Sequence, residues 1–468
     1  MTLPPGPPAH SLLTLGRWSL RPLELLDACH ARYGDTFTFE GFGNQTVVFF
    51  TRPEHIRELF TGSPDDLYAG RGNALLESIV GKHSLLLLDG PPHARERKLL
   101  RPPFHGERMT AYGKVMRDVT DARINQWTAD APFSLQEETS AITLDVILRT
   151  VFGVEAGQRF DRLRARLSVF VREGATPGML AVLLLVPADT IKKWLLAGTD
   201  DDAPAWARAL RSRLPLYDLA QSARDVDTML LAEIRRRREA PDEARDDILS
   251  LLVAARYEDG APMSDEALRD EMVTLLLAGH ETTAVTLAWA MHRLLMHPEV
   301  LRKVLDEIRT VTGGVAPEPE HVPKLEYLDA VIRETQRVHT IIPLVVRRLE
   351  RPMTLGGFAL PAGVMAAPSI PLVHMRRDVW GDPENFRPER FFERKPTPFE
   401  FMPFGGGVRR CIGAAFAHYE MKVVLARMLW RTTLRAAVPL PVKVVRRGIV
   451  LGPKGGMPVV MTARDPAR

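Results

Sequence analysis

The stretch Phe401-Met-Pro-Phe404-Gly405-Gly406-Gly407-Val-Arg409-Arg-Cys411-Ile-Gly413-Ala414 decides how this 468-residue chain is read. Its residue types suit a cysteine presented from a tight loop just before a helix, predicted over Ala414 to Trp430. Glycines 405, 406, 407 and 413 let backbones approach closely and take dihedrals closed to other residues. Amides at the start of the following helix can donate toward the sulfur, and the helix dipole favours a thiolate there. The same residues also admit an inert buried thiol, a glycine cradle for phosphate, or a zinc ligand. The phosphate reading lacks a Gly-Lys-Ser/Thr element. The zinc reading lacks companion Cys or His residues at short spacing.

The string resembles the cysteine loop of the cytochrome P450 family, Phe-Gly-x-Gly-x-Arg-x-Cys-x-Gly. Phe404, Gly405, Gly407, Arg409, Cys411 and Gly413 occupy its fixed positions. That resemblance implies that Cys411 is the axial thiolate ligand to the iron of haem b, with Phe404 and Gly405 in the cofactor-binding loop. A thiolate ligand donates electron density to iron and favours O–O cleavage.

Three further constellations match the family in its order. Glu334-Thr-Gln-Arg337 falls inside a predicted helix, so acid and base share one face. By itself this reads as a surface ion pair of under ~1 kcal/mol. It resembles the family's Glu-x-x-Arg, whose third member would be Arg390 in Asp382-Pro-Glu-Asn-Phe386-Arg-Pro388-Glu-Arg390-Phe391. These three residues are expected to be structural. Ala278-Gly279-His280-Glu281-Thr282-Thr283 stands in the longest predicted helix, from Ser264 to about Met296. An acid and alcohols after a glycine are poor helix chemistry among Leu275, Leu276 and Leu277, and suggest local strain. On the resemblance, Thr282 hydrogen-bonds oxygen and Glu281 relays protons, which makes this pair catalytic. His93 and Arg97 lie four apart and share a helix face. They resemble a propionate clamp, although Arg95, Lys98 and Arg101 also allow a solvated basic face. Arg409 and Arg347 would be further propionate partners, with Arg348 on the opposite face of a strand as the alternative to Arg347.

Bulk properties fit this picture. The chain is 45% hydrophobic and 26% charged, with net charge +4, too mild and dispersed an excess to argue for nucleic acid. Cys29 is the other of two cysteines, which excludes a disulfide scaffold. No linker or repeat divides the chain, so one haem domain over 1–468 is expected. The amino terminus lacks a signal-peptide pattern. The longest apolar run, Met179 to Val186, falls short of the roughly 20 residues that span a bilayer. A cytoplasmic monomer without a transmembrane anchor is expected. The predicted fold is mainly α, a cytochrome P450 fold with a large helical part and a small β-rich region. Haem would lie between the long central helix and the helix after Cys411. Strands are expected at Asp35–Glu40 and Val47–Phe50, around Gly356-Gly357, and at Val442–Val445 and Val459–Met461 about a Gly/Pro turn. The minor sheet is expected to draw on both chain ends.

The resemblance implies a monooxygenase that inserts one atom of O2 into a hydrophobic organic substrate, by hydroxylation or epoxidation. Fatty acids, terpenoids, steroids and polyketide-like molecules all qualify. No flavin or iron–sulfur module remains in the chain, so electrons are expected from a ferredoxin and its NAD(P)H-dependent reductase. An H2O2-dependent peroxygenase or a non-catalytic haem-thiolate sensor are the alternatives, and the Glu281–Thr282 pair argues against both. Apolar pocket residues are expected in Leu67–Leu88, Met179–Val186, the helix around Leu277, Ile341–Val346 and Ile449–Leu451. In the family, the region corresponding to Phe160–Arg224 roofs the pocket. Lys192, Lys193 and Trp194 within it could touch a membrane, with a buried helix as the alternative.

Overall fold

The structure, a computed structural model, describes residues 3–9, 11–42, 45–104, 106, 108–154, 157–174, 217–240 and 245–466. The expected pocket stretch Met179–Val186 and the residues Lys192, Lys193 and Trp194 lie outside the described residues.

A 32-residue helix, Asp265–Met296, runs through the protein. The Ser264 hydroxyl caps it by accepting from the Ala267 N–H at 3.1 Å, and Asp265 and Glu266 complement the dipole in its first turn. From Thr283 to His292 every residue is buried. A helix segment buried on all sides must be surrounded. The helices Leu135–Thr150, Tyr217–Glu239, Glu326–Val338 and Ala414–Arg431 all pack against it.

The largest sheet has five strands in the order Thr36–Phe42, Gln45–Phe50, Met365–Pro368, Arg347–Leu349 and Leu67–Tyr68. Val47 through Phe50 are all buried, which requires cover on both faces and a partner on each edge. Met365–Pro368 supplies the second edge, in parallel register from Val47↔Met365 to Phe50↔Pro368.

The five-stranded sheet joins strands from the early and late parts of the chain, as expected, but the last strands do not enter it. Val444–Arg447 pairs with Val450–Pro453, closing at Gly448, whose φ of 56° suits a tight hairpin turn before the Gly/Pro stretch is reached. The strand Pro458–Arg464 instead lies between Pro132–Ser134 and Thr432–Ala436.

One buried ionic lock joins the helical and irregular parts. Glu334 and Arg337 have no solvent exposure and pair in a fork, with both carboxylate oxygens accepting guanidinium N–H groups at 2.7 Å. Glu334 also accepts from Arg390 Nε at 3.0 Å and from the Arg387 N–H at 2.9 Å. The remaining guanidinium donors reach the carbonyls of His374, Pro383, Trp380 and Asn385. His374 in turn accepts the Met402 N–H through Nε2 at 3.0 Å, at the entrance to the cysteine loop. Burial, reinforced by Arg337, holds the His374 pKa down at about 3, so the ring stays a neutral acceptor.

Replacing Glu334 with Gln strands two buried guanidiniums. The expected loss is roughly 3–5 kcal/mol of folding stability, read as a lower denaturation midpoint in urea. A midpoint within error of wild type would contradict this view of the lock.

Candidate functional site around Cys411

Cys411 sits where a glycine bend meets the helix Ala414–Arg431. Its N–H donates to the Phe404 carbonyl at 2.9 Å, while the Gly405 N–H reaches Met402 and the Arg410 N–H reaches Gly407. Gly405 and Gly407 both take φ of 65°, a left-handed conformation open to glycine. The bend lies against Phe60 of the helix Pro53–Thr61. A Cβ on Gly406 would come within 2.2 Å of the Phe60 ring, and one on Gly407 within 2.5 Å of its carbonyl oxygen. Bare backbone is therefore required there. The Phe404 side chain packs on the main core.

Cys411 is solvent-accessible, yet the protein desolvates its thiol strongly, so it faces an internal cavity rather than the outer surface. Burial pushes the thiol pKa up, and the Gly413 N–H, Arg97 and Arg410 pull it back. No side chain caps the helix after Gly413, and the N–H of Gly413 at its cap position is directed at the sulfur.

Beside the bend lies a cluster of cations. His93 is 5% exposed, and its Nε2 is buried with no hydrogen-bond partner. Burial and then Arg409, Arg97 and Arg347 depress its pKa to about 3, so the ring is neutral at pH 7. Arg347 is buried and donates to the carbonyls of Val346 and Gly406 at 2.9 and 3.1 Å. Burial, with Arg409 beside it, lowers its pKa to about 10. Arg348, on the other face of the strand, pairs with Glu350 at 3.2 Å. Arg97 donates to the Arg410 carbonyl at 2.5 Å. Arg409 donates to the carbonyls of Leu85 and Leu88 and to the Asp89 carboxylate.

This donor set fits haem. A neutral imidazole with an orphaned buried nitrogen, three guanidiniums and an accessible thiol suit an iron macrocycle that carries two carboxylates.

The long helix contributes a second group. Ala278 is exposed and Glu281 and Thr282 half-buried on a helix otherwise enclosed, so this stripe faces a cavity. Burial raises the Glu281 carboxyl to a pKa of about 7, against the opposing pull of Arg447. Thr282 Oγ1 donates to the Ala278 carbonyl at 2.8 Å, leaving its lone pairs to accept. The helix is unbroken here, contrary to the strain expected around Gly279. Gly279 is a packing residue, since a Cβ there would lie 2.9 Å from Ile147. Hydroxyls satisfy this turn further: Thr283 bonds the Gly279 carbonyl and Thr143 that of His280, each at 3.0 Å.

Among the described residues no hydrogen bond or ion pair joins Glu281 or Thr282 to Cys411 or the cation cluster. Of the expected pocket stretches, Leu86–Leu88, Ile341–Ile342 and Val345–Val346 are half-buried and apolar, whereas Val450 and Leu451 are core and Ile449 is exposed.

Several residues escaped the sequence reading. Asp270 and Glu271 on the long helix accept the backbone N–H groups of His83 and Leu85 at 2.9 and 2.7 Å. They thereby hold the strap that carries the Arg409 acceptors. Asp89 is the other, and its sequence signal was an acid directly before Gly90-Pro91-Pro92.

The cytochrome P450 family model matches residues 4–458. A putative cytochrome P450 135B1 of Mycobacterium tuberculosis is 36% identical over 467 residues, covering 99% of this chain and 93% of that protein. A putative cytochrome P450 138 of Mycobacterium bovis is 36% identical over 435 residues, covering 92% and 90%. Among solved structures, a retinoic acid-bound cyanobacterial CYP120A1 matches with a TM-score of 0.82 at 23% identity, covering 99% of this chain and 100% of that one.

Glu281 gives stability a defined pH signature. Its folded pKa of about 7 lies above the ordinary 4.5, so between these values the folded state keeps a proton that the unfolded chain has released. Stability should fall across that window as pH rises, by on the order of 3 kcal/mol. The Glu281→Gln variant should lack that component when unfolding is measured from pH 4.5 to 8. Parallel curves for the two proteins would refute the raised pKa.

Proposed function

The chain belongs to the cytochrome P450 family, whose members bind haem b, and on that premise we propose how its own residues run a monooxygenase reaction. Haem held through a cysteine thiolate supplies the oxygen chemistry, by which one atom of O2 enters the substrate and the other leaves as water. The observation that carries the reading is Cys411, an accessible thiol deep in the protein at the end of a glycine bend, with the Gly413 N–H directed at its sulfur.

Cys411 is the iron ligand in this proposal, and Phe404 and Gly405 shape the bend behind it. His93, Arg97, Arg347 and Arg409 take the two propionates, with His93 donating from the neutral ring through its unpaired Nε2. Glu281 holds a proton on its carboxyl near neutral pH and releases it toward the cavity, which is general-acid work with a pKa matched to the operating pH. Thr282 has committed its own hydroxyl proton to Ala278, so Oγ1 accepts a hydrogen bond and orients the donor of the next proton. Glu334, Arg337 and Arg390 act structurally, by fixing the loop behind Cys411.

The substrate is a hydrophobic organic molecule, which the half-buried apolar residues Leu86–Leu88 and Ile341–Ile342 favour. Electrons arrive from a ferredoxin and an NAD(P)H-dependent reductase. Arg101 and Arg410, exposed on the cysteine side, offer a positive approach to an acidic partner. No helix among the described residues is long and apolar enough to cross a membrane. The reading places the enzyme in the cytoplasm as a monomeric haem domain.

Cys411→Ser should remove the thiolate-type absorption band of the reduced carbon monoxide complex, and an unchanged band would refute the ligand assignment. Thr282→Ala should keep that band while NAD(P)H consumption shifts from product to released hydrogen peroxide. Full coupling in this variant would remove the role given to Thr282.

A further inference from the structure

The helix Gly90–Leu100, which carries His93 and Arg97, begins with an acid at its cap position. An Asp there ordinarily turns its carboxylate back onto the N–H of the second or third helical residue. Here those residues are Pro91 and Pro92, which have no N–H. The Asp89 side chain accordingly makes no cap hydrogen bond to its own helix.

Its oxygens find other donors. Oδ1 accepts the Gly70 N–H at 2.8 Å and Arg409 Nη2 at 2.5 Å, while Oδ2 accepts the Arg71 N–H at 2.9 Å. The fit around it is close, since a Cβ on Gly70 would lie 2.7 Å from Oδ2 and 2.0 Å from the Leu87 carbonyl oxygen. Among the described residues Asp89 is the one carboxylate ion-paired with any member of the cluster His93, Arg97, Arg347 and Arg409. Its charge also acts on Arg347.

The charges then balance. With His93 neutral, three guanidiniums carry +3 and Asp89 brings the cluster to +2, equal and opposite to two propionates.

We propose that Asp89, freed from capping by Pro91 and Pro92, is a positioning residue that orients Arg409 and sets the net charge of the cofactor pocket. This inference rests on the haem-thiolate reading above and adds a residue to it. Losing the carboxylate has two consequences of the same sign. A negative charge beside Arg409 and Arg347 disappears, and Arg409 is released to neutralise a propionate more fully. Each favours the reduced cofactor, so each raises the midpoint potential.

The test measures the ferric/ferrous midpoint potential of holoprotein by spectroelectrochemistry in wild type, Asp89→Asn and Asp89→Glu, with thermal melting beside it. Asp89→Asn should shift the potential upward, and Asp89→Glu, which keeps the charge, should stay near wild type even if both melt earlier. A merely structural Asp89 would lower melting in both variants and leave both potentials unmoved, which overturns the proposal. So does an equal shift in the two. If Asp89→Asn does not retain haem, Pro92→Ala decides, because it restores an amide that competes for the carboxylate. An upward shift there supports the role, and an unmoved potential overturns it. A wild-type protein without the thiolate band would instead sink the cofactor reading, a result distinct from an intact band with an unmoved potential.

Discussion

A sulfur buried in protein resists ionisation, and the site is organised against that resistance. Desolvation pushes the Cys411 thiol up, while the Gly413 N–H, Arg97 and Arg410 oppose it. Coordination by a metal deprotonates such a thiol outright. In the proposed role of Cys411 as iron ligand, the protein's task is to hold the sulfur in place with the Gly413 N–H already aimed at it. The bend achieves this through the Phe404 carbonyl, which fixes the Cys411 backbone, and through bare glycines that let the loop lie on Phe60.

The bend is held from two sides. Behind it, Glu334 gathers Arg337 and Arg390 into a buried lock, and His374 passes that order to Met402. In front, Arg409 grips the strap Leu85–Asp89, which the long helix anchors through Asp270 and Glu271. Glu271 and Glu96 lie close enough to raise the Glu271 pKa, on top of its burial, so this anchor stays protonated to higher pH than an ordinary carboxyl. The Cys411 bend and the long helix thus share one backbone segment, with the N–H of Leu85 on Glu271 and its carbonyl on Arg409.

Much of this was legible in the sequence wherever chemistry demands a residue type at short spacing. The start of the long helix at Ser264 and the pairing of Glu334 with Arg337 are local statements that spacing makes readable, whereas the burial of that pair and the role of the glycine–cysteine string came only with the family resemblance. The strand Arg347–Leu349 showed that one of two adjacent arginines faces inward, but not which. That depended on Glu350 being placed to take Arg348. The partners of the C-terminal strands were not legible because hydrophobic alternation marks a strand without naming its partner, and Pro458–Arg464 pairs with Pro132–Ser134 from far upstream. Asp89 and Arg409 stand 320 positions apart, so nothing near either one announces their contact.

Two helix starts meet the site with complementary defects. The helix after Gly413 has amides but no capping side chain, and the helix after Asp89 has a capping side chain but prolines where its amides should be. Each would be a small loss of stability in a helix taken alone, about 1 kcal/mol for a missing cap. Set beside a cofactor, each becomes a resource. The Gly413 N–H turns to the Cys411 sulfur, and a free carboxylate turns to Arg409. At Ser264 and Asp247 the capping group stays on its own helix, whereas at Asp89 it is spent on Arg409.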